Sequence, residues 1–102
     1  MSKKVSDILP KTEILAQLAE KASKLAQAAL ELRRALDDTN PTPKSIEECR
    51  KAFEEGYADV MVCMVALGAS GDGKAHERIE IISSEKYYRW LHRLQDKEQP
   101  DE

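Results

Sequence analysis

Two predicted helices each carry a lane of side chains at helical spacing, and these lanes hold the residues that could do chemistry. The lanes are Gln17, Lys21, Lys24 and Ala28 on the first helix, and Ala52, Gly56, Asp59 and Cys63 on the second. Each follows the steps i, i+4, i+7 and i+11, which place its members on one side of a helix. If the helices pack antiparallel, as a short connection favours, the lanes face each other. The sequence therefore predicts a groove that holds two ammonium groups and one carboxylate.

Asp59 makes the strongest chemical demand, because it lies in the apolar run ADVMVCMV. A buried carboxylate without a partner costs roughly several kcal/mol, so Asp59 needs a metal ion, a cation or water. One interpretation is that Asp59 faces water, with Glu55 one turn before it, and that Lys21 and Lys24 lie on a solvated face. The other is that one or both lysines pair with Asp59, and also with Glu55, across the groove.

Three further features have ordinary structural interpretations. The stretch GASGDGKA, from Gly68 to Ala75, satisfies G-x-x-x-x-G-K, but a P-loop needs Ser or Thr next and a strand before it. We therefore expect a connector between helices. His76 and His92 have no neighbouring Cys or carboxylate at ligand spacing, so we expect solvated surface histidines. Cys49 lies about 21 Å from the second cysteine along one helix, too far for a disulfide, which predicts buried free thiols.

Composition and charge narrow the class of protein. The chain has 102 residues, 41% of them hydrophobic and 34% charged, which suits one helical domain over residues 1–102. The net charge of −3 gives no electrostatic reason to expect a nucleic-acid partner. No apolar run approaches the ~20 residues that span a bilayer, and MSKKVSDILP has no signal-peptide core. We expect a cytoplasmic protein without a membrane partner.

Hydrophobic periodicity predicts helices at about 12–37, 46–67 and 73–95, followed by a polar tail at 96–102. Pro10 marks the entry to the first helix, with a short capped turn expected from Ser6. Ser45 and Glu48 form a capping box at the start of the second helix, whose segment VMVCMVAL is expected to be central in the core.

The third helix carries large apolar residues on one side and two serines near its middle. Ser83 and Ser84 are a candidate break between two pieces of this helix. Trp90 and the Tyr87-Tyr88 pair are expected to anchor either the core or an interface.

Several stretches together resemble the MazG-like family of all-α nucleoside triphosphate pyrophosphohydrolases. They are ILPKTEILAQLAEKASKLAQAALELRRAL, the TNPTP connector, ADVMVCMVALG and the closing KYYRWLHRL, and they cover most of the chain. The resemblance implies an all-α fold: an antiparallel helical bundle of three to four helices per chain, completed by a homodimer. It also implies hydrolysis of a nucleoside triphosphate to the monophosphate and pyrophosphate.

Family members bind Mg²⁺ through a Glu-x-x-Glu pair on the first long helix and a Glu-x-x-Asp pair on the second. Here those positions are Lys21, Lys24, Gly56 and Asp59, so that only Asp59 matches. Glu20 and Glu55 are adjacent acids and possible substitutes, but each lies about 100° around its helix from the position that it would replace. Two ammonium groups beside one carboxylate should repel Mg²⁺, and so we expect the family reaction to be impaired or absent.

Two other functions remain open for such a chain. It could be a non-catalytic protein that binds a nucleotide or another phosphate compound through Lys21 and Lys24. It could instead be a structural, dimeric protein whose groove is closed by ion pairs.

Overall fold

The computed structural model describes residues 3–38, 44–69 and 73–98 of the chain, and within these ranges it is helical without a strand. The helices are α1 (Val5–Ile8), α2 (Lys11–Asp37), α3 (Ile46–Ala69) and α4 (Ala75–Glu98). The predicted all-α class is therefore confirmed. The chain groups into two compact units, Met1–Ser70 and Gly71–Glu102, of which the first holds α1 to α3 and the second holds α4.

Helix α2 begins and ends where local backbone chemistry requires. Pro10 is its N-cap residue, in an extended conformation with φ −67° and ψ 155°. Proline lacks an N–H, so it suits a helix start, where that group would have no partner inside the helix. At the other end Asp38 adopts the left-handed conformation, with φ 56°, and its N–H donates to the carbonyl of Arg34. The prediction of a helix over about 12–37 is confirmed to within one residue.

The short helix α1 starts earlier than the sequence suggested. The backbone N–H of Lys4 donates to the Asp7 carboxylate, Oδ2, over 2.9 Å. A short capped turn is therefore present before Pro10, as expected, but its cap residue is Lys4 and not Ser6, because the carboxylate that accepts the capping bond belongs to Asp7, three residues after Lys4.

The predicted capping box at the start of α3 is present. The N–H of Glu48 donates to Ser45 Oγ over 3.1 Å, and the N–H of Ser45 donates to Glu48 Oε1 over 3.4 Å. These two bonds satisfy N–H groups that have no partner inside the helix. The connector TNPTP that precedes the box lies outside the described residues.

Two contacts show that α2 and α3 pack antiparallel. Lys44, just before α3, forms an ion pair with Glu31 over 3.6 Å. Twelve residues further along α3, Gly56 lies against Leu25, which is six residues earlier in α2. Moving forward along one helix therefore moves backward along the other, as the sequence predicted.

Few side chains of this unit are fully buried. The described residues with buried apolar side chains are Ile14, Cys49 and Ala66. The expectation that VMVCMVAL is central in the core is wrong for this chain: Val62 and Val65 are 63% and 71% exposed. Only one side of this half of α3 packs on α2, and the other side faces outward although it is also apolar.

Helix α4 is continuous, and two expectations about it are wrong. Ser83 and Ser84 lie within the helix, since serine lowers helix stability by only about 0.5 kcal/mol relative to alanine. The helix also extends to Glu98, past the point where a polar tail was predicted to begin. Tyr87 and Trp90 are 62% and 57% exposed, so they are not core residues within their unit. An interface role for them stays a prediction.

Within the described ranges, no helix combines the length and the apolar character that crossing a bilayer requires.

Replacing Ser45 by Ala is expected to lower the free energy of unfolding by about 1 kcal/mol, because the N–H of Glu48 loses the hydroxyl oxygen that accepts its hydrogen bond. Ser45→Asp should retain most of the stability, since Asp is an equally good N-cap residue. Urea unfolding followed by circular dichroism measures both variants. An Ala variant as stable as the wild type would show that the hydroxyl does not act as a cap.

Candidate functional site

Helices α2 and α3 are in contact at Gly56 and Leu25. A Cβ atom at position 56 would lie 3.4 Å from the Cα and 3.5 Å from the Cδ1 of Leu25. These are ordinary van der Waals distances, so the backbone of α3 packs on α2 at this position. Sequence reasoning treated Gly56 only as a position without a ligand. A signal was present, since a glycine inside a helix costs about 1 kcal/mol relative to alanine and often has a packing reason.

This contact brings the two predicted lanes to one edge of the helix pair. Lys21 precedes Leu25 by four residues, and Asp59 follows Gly56 by three. Because the helices are antiparallel, both residues lie in the same direction from the contact. At 100° of rotation per residue, Lys21 lies about 40° around α2 from Leu25, and Asp59 lies about 60° around α3 from Gly56. Both rotations are toward the same edge of the helix pair. Lys21 is half-buried there, whereas Asp59 is exposed.

The ion pairs differ from the predicted arrangement. Lys24 Nζ lies 3.3 Å from Glu20 Oε1, one turn earlier on its own helix, and both side chains are more than half exposed. Lys21 and Asp59 make neither an ion pair nor a hydrogen bond with another described residue. The predicted pairing of the lysines with Asp59 or Glu55 is therefore not formed. Asp59 faces water and needs no cation, which agrees with the first interpretation of this residue.

The Lys24–Glu20 pair is too exposed to fix the site. Solvated pairs four residues apart on a helix contribute only about 0.3–0.5 kcal/mol and weaken with added salt. The edge is therefore not closed by strong ion pairs, and Lys21 keeps a charge that no described group neutralises.

The residues at this edge do not fit Mg²⁺. The described part of the chain contains no group of three or more His, Cys, Asp or Glu residues that could hold a metal. Magnesium prefers a near-octahedral set of oxygen atoms, and the family positions offer one carboxylate, Asp59, beside two lysines. Glu20, the first possible substitute, pairs with Lys24. Glu55, the second, is exposed, and it belongs to no such group.

The remaining candidate motifs of the sequence have these local surroundings. Residues 70–72 of the glycine-rich connector lie outside the described residues, and Gly73 has φ 78°, which suits only glycine without strain. His76 Nε2 lies 3.2 Å from Glu80 Oε1, so the expectation of no nearby carboxylate is wrong; both side chains are exposed. His92 is exposed, as expected.

Both cysteines are free, which confirms the prediction that they form no disulfide. Cys49 is buried, whereas Cys63 is half-buried at the edge that Lys21 and Asp59 share. The expectation of two buried thiols is therefore correct for Cys49 only.

A broad apolar surface covers the outer side of α3, opposite Gly56. We call it the α3 apolar surface, and its members are Tyr57, Met61, Val62, Met64 and Val65, all of them exposed. Helical rotation spreads these side chains over about 160°. Soluble monomers rarely expose large contiguous apolar patches, and such patches often mark contacts with other molecules.

Gly56→Gln is expected to lower the free energy of unfolding by about 1–2 kcal/mol. The Cβ atom itself would make ordinary contact with Leu25, but the longer part of the side chain must be fitted against α2, which costs about 1–3 kcal/mol. The better helix propensity of Gln recovers part of that loss. Gly68→Gln is the matched control, since nothing lies within 4 Å of a Cβ atom at that position of α3. Urea unfolding compares the two. A loss at position 68 as large as that at 56 would contradict the close helix approach.

Comparison of the chain with protein-family models, with curated proteins and with solved structures gave no match.

Proposed function

We propose that the chain is a MazG-like helical protein in which magnesium-dependent hydrolysis of nucleoside triphosphates is impaired or lost. The observation that carries this proposal is the contact of Gly56 with Leu25. At the position where the family places a metal-binding glutamate, the space next to the α3 backbone is occupied by a side chain of α2. A carboxylate side chain introduced there would begin in contact with Leu25.

Charge supports the same conclusion. The four family positions hold two ammonium groups and one carboxylate, with a net charge of +1, where the family resemblance implies four carboxylates. A Mg²⁺ ion that approaches Asp59 also approaches Lys21, which no described group neutralises. Without the ion, the triphosphate has no divalent partner and the attacking water is not activated.

One observation favours a second function, the binding of a phosphate compound without hydrolysis. Lys21 is half-buried and has no partner in the described chain, so an anionic ligand would gain a charge-assisted hydrogen bond there. Lys24 would have to leave Glu20 to join it, which costs little because that pair is exposed. The ligand class is then a nucleotide or another phosphate compound, as the second sequence interpretation holds.

We also propose a homodimer that forms through the α3 apolar surface. Two helices alone bury only one side of each, and covering the outer side of α3 with a second copy would make a four-helix bundle. A two-fold axis brings the same patch of both copies together, so a uniformly apolar patch is complementary to itself. Val62 and Val65 lie within this patch and are its most exposed members.

Titration with Mg²⁺ and a nucleoside triphosphate, separately and together, tests the catalytic part of the proposal. We expect no pyrophosphate release and no change in melting temperature with Mg²⁺ alone. A rise in melting temperature with the nucleotide alone, absent in Lys21→Ala, would support phosphate binding. Steady magnesium-dependent pyrophosphate release by the pure protein, abolished in Asp59→Asn, would overturn the proposal.

Val65→Lys is expected to weaken the dimer at least tenfold, because a charge at the interface must be desolvated. Leu30→Lys is a matched control, since Leu30 is an exposed leucine on α2. Sedimentation equilibrium over a range of concentrations measures both dissociation constants. A wild-type protein that stays monomeric throughout, or equal weakening by both substitutions, would contradict this interface.

A further inference from the structure

Helix α4 carries a row of cations that the proposed function does not use. We call it the cationic stripe, and its members are Lys86, Arg89, Arg93 and Lys97. At 100° and 1.5 Å per residue, the four side chains fall within an arc of about 80° and extend over about 16 Å of the helix. All four residues are exposed.

The cations of the stripe form no ion pair within the described chain, although the carboxylates of Glu85 and Asp96 flank the stripe on the same helix. Lys86, Arg93 and Lys97 make no ion pair and no hydrogen bond with other described residues. Arg89 donates from Nε to the carbonyl oxygen of Glu85 over 3.4 Å, a bond that leaves its positive charge uncompensated. Like charges at these spacings repel one another, so an anionic partner that neutralises several of them at once would be favoured.

An indole ring lies beside these cations. Trp90, the only tryptophan of the chain, lines an open cleft of about 360 Å³ together with Lys86, Arg89 and Arg93. Tyr88 lies in a second cleft that Arg89 also lines. The exposed ring of Trp90 therefore offers a stacking surface next to charges that attract phosphate.

We propose that α4 binds single-stranded nucleic acid, with its phosphates on the cationic stripe and a base stacked on Trp90. Proteins that bind single strands without sequence preference combine these two elements, a positively charged track and an aromatic platform. Each neutralised phosphate releases counterions, which is the main source of affinity. Double-stranded nucleic acid fits less well, because its bases are already stacked on one another and cannot reach the indole ring.

The net charge of the chain does not oppose this binding. The expectation of no nucleic-acid partner came from the value of −3 for the whole sequence. At physiological ionic strength, exposed charges are screened beyond about 8 Å, so a phosphate at the stripe responds to its four cations and to the two flanking carboxylates of Glu85 and Asp96. The local balance of these six groups is positive.

An acidic bilayer surface would be a different partner for a cationic helix, and the observations favour it less. A helix that lies in a membrane interface needs an unbroken apolar side. On α4 the side marked by Tyr87, Trp90 and Leu94 is interrupted by Ser83, which lies in the middle of the same arc. Trp90 also shares its cleft with three cations, whereas an interfacial tryptophan would contact acyl chains.

The test uses the full chain, a labelled single-stranded oligothymidylate of 12 nucleotides and a series of NaCl concentrations. We expect the fluorescence of Trp90 to be quenched and the anisotropy of the label to rise. The logarithm of the binding constant should fall with the logarithm of salt concentration with a slope of about −2 to −3, as expected for three to four phosphates. Duplex DNA of the same length should bind more weakly and leave Trp90 unquenched.

Three variants separate the charge from the ring. Arg93→Glu should weaken binding at least tenfold and make the salt slope shallower. Trp90→Ala should weaken binding severalfold and leave the salt slope unchanged. Lys51→Glu makes the same change in net charge at an exposed position of α3 and should have little effect. Circular dichroism confirms that each variant stays helical.

Four outcomes would overturn the proposal. The first is that the oligonucleotide does not bind at low salt, and the second is that Lys51→Glu and Arg93→Glu weaken binding equally. The third is that inorganic polyphosphate binds as tightly as the oligonucleotide, and the fourth is that the fluorescence emission of Trp90 shifts to the blue only with phosphatidylserine vesicles. The third would show that bases contribute nothing, and the fourth would identify a membrane as the partner. None of these readouts depends on pyrophosphate release, so this inference and the proposed function can fail separately.

Discussion

The near approach of two helix backbones at Gly56 and Leu25 sets the geometry of the first unit. It fixes the register of α2 against α3, and this register places Lys21 and Asp59 at the same level and on the same edge. It also determines which side of α3 turns outward, and therefore which apolar side chains stay exposed. At this point α3 presents a glycine to α2, so position 56 contributes neither a charge nor a metal ligand to the edge.

Charged residues are distributed differently over the two compact units. In the first unit, cations and acids alternate over the helices, and pairs such as Lys24–Glu20 and Lys44–Glu31 form between them. On α4 four cations instead follow one another along a single side, which Glu85 and Asp96 border, while the other acids lie elsewhere around the helix. A net charge for the whole sequence averages over this difference, and it says little about either unit.

The predictions that were confirmed depend on interactions between residues that are close in sequence. Helix class, the start of α2 at Pro10 and the bonds between Ser45 and Glu48 depend on residues within one or two turns, so the sequence contains the necessary information. The failures involve choices between local and distant partners. Lys24 could pair with Glu20 on its own helix or with Asp59 across the edge. The spacing of these residues in the sequence does not show which of the two ion pairs is more stable. Periodicity likewise showed that VMVCMVAL is apolar on all sides, but it could not show which side would be covered.

The ion pair between Glu31 and Lys44 joins groups that are separated by only thirteen residues, at the end of the hairpin where the chain turns from α2 to α3. Forming a contact across such a short segment loses little chain entropy. Lys21 and Asp59 are thirty-eight residues apart, so bringing them to the same edge requires a longer loop to close. Folding of the hairpin should therefore begin beside the turn and progress away from it. The edge with the unusual charges would then assemble late, on a scaffold that is already in place, and its residues could change during evolution with little effect on the speed of folding.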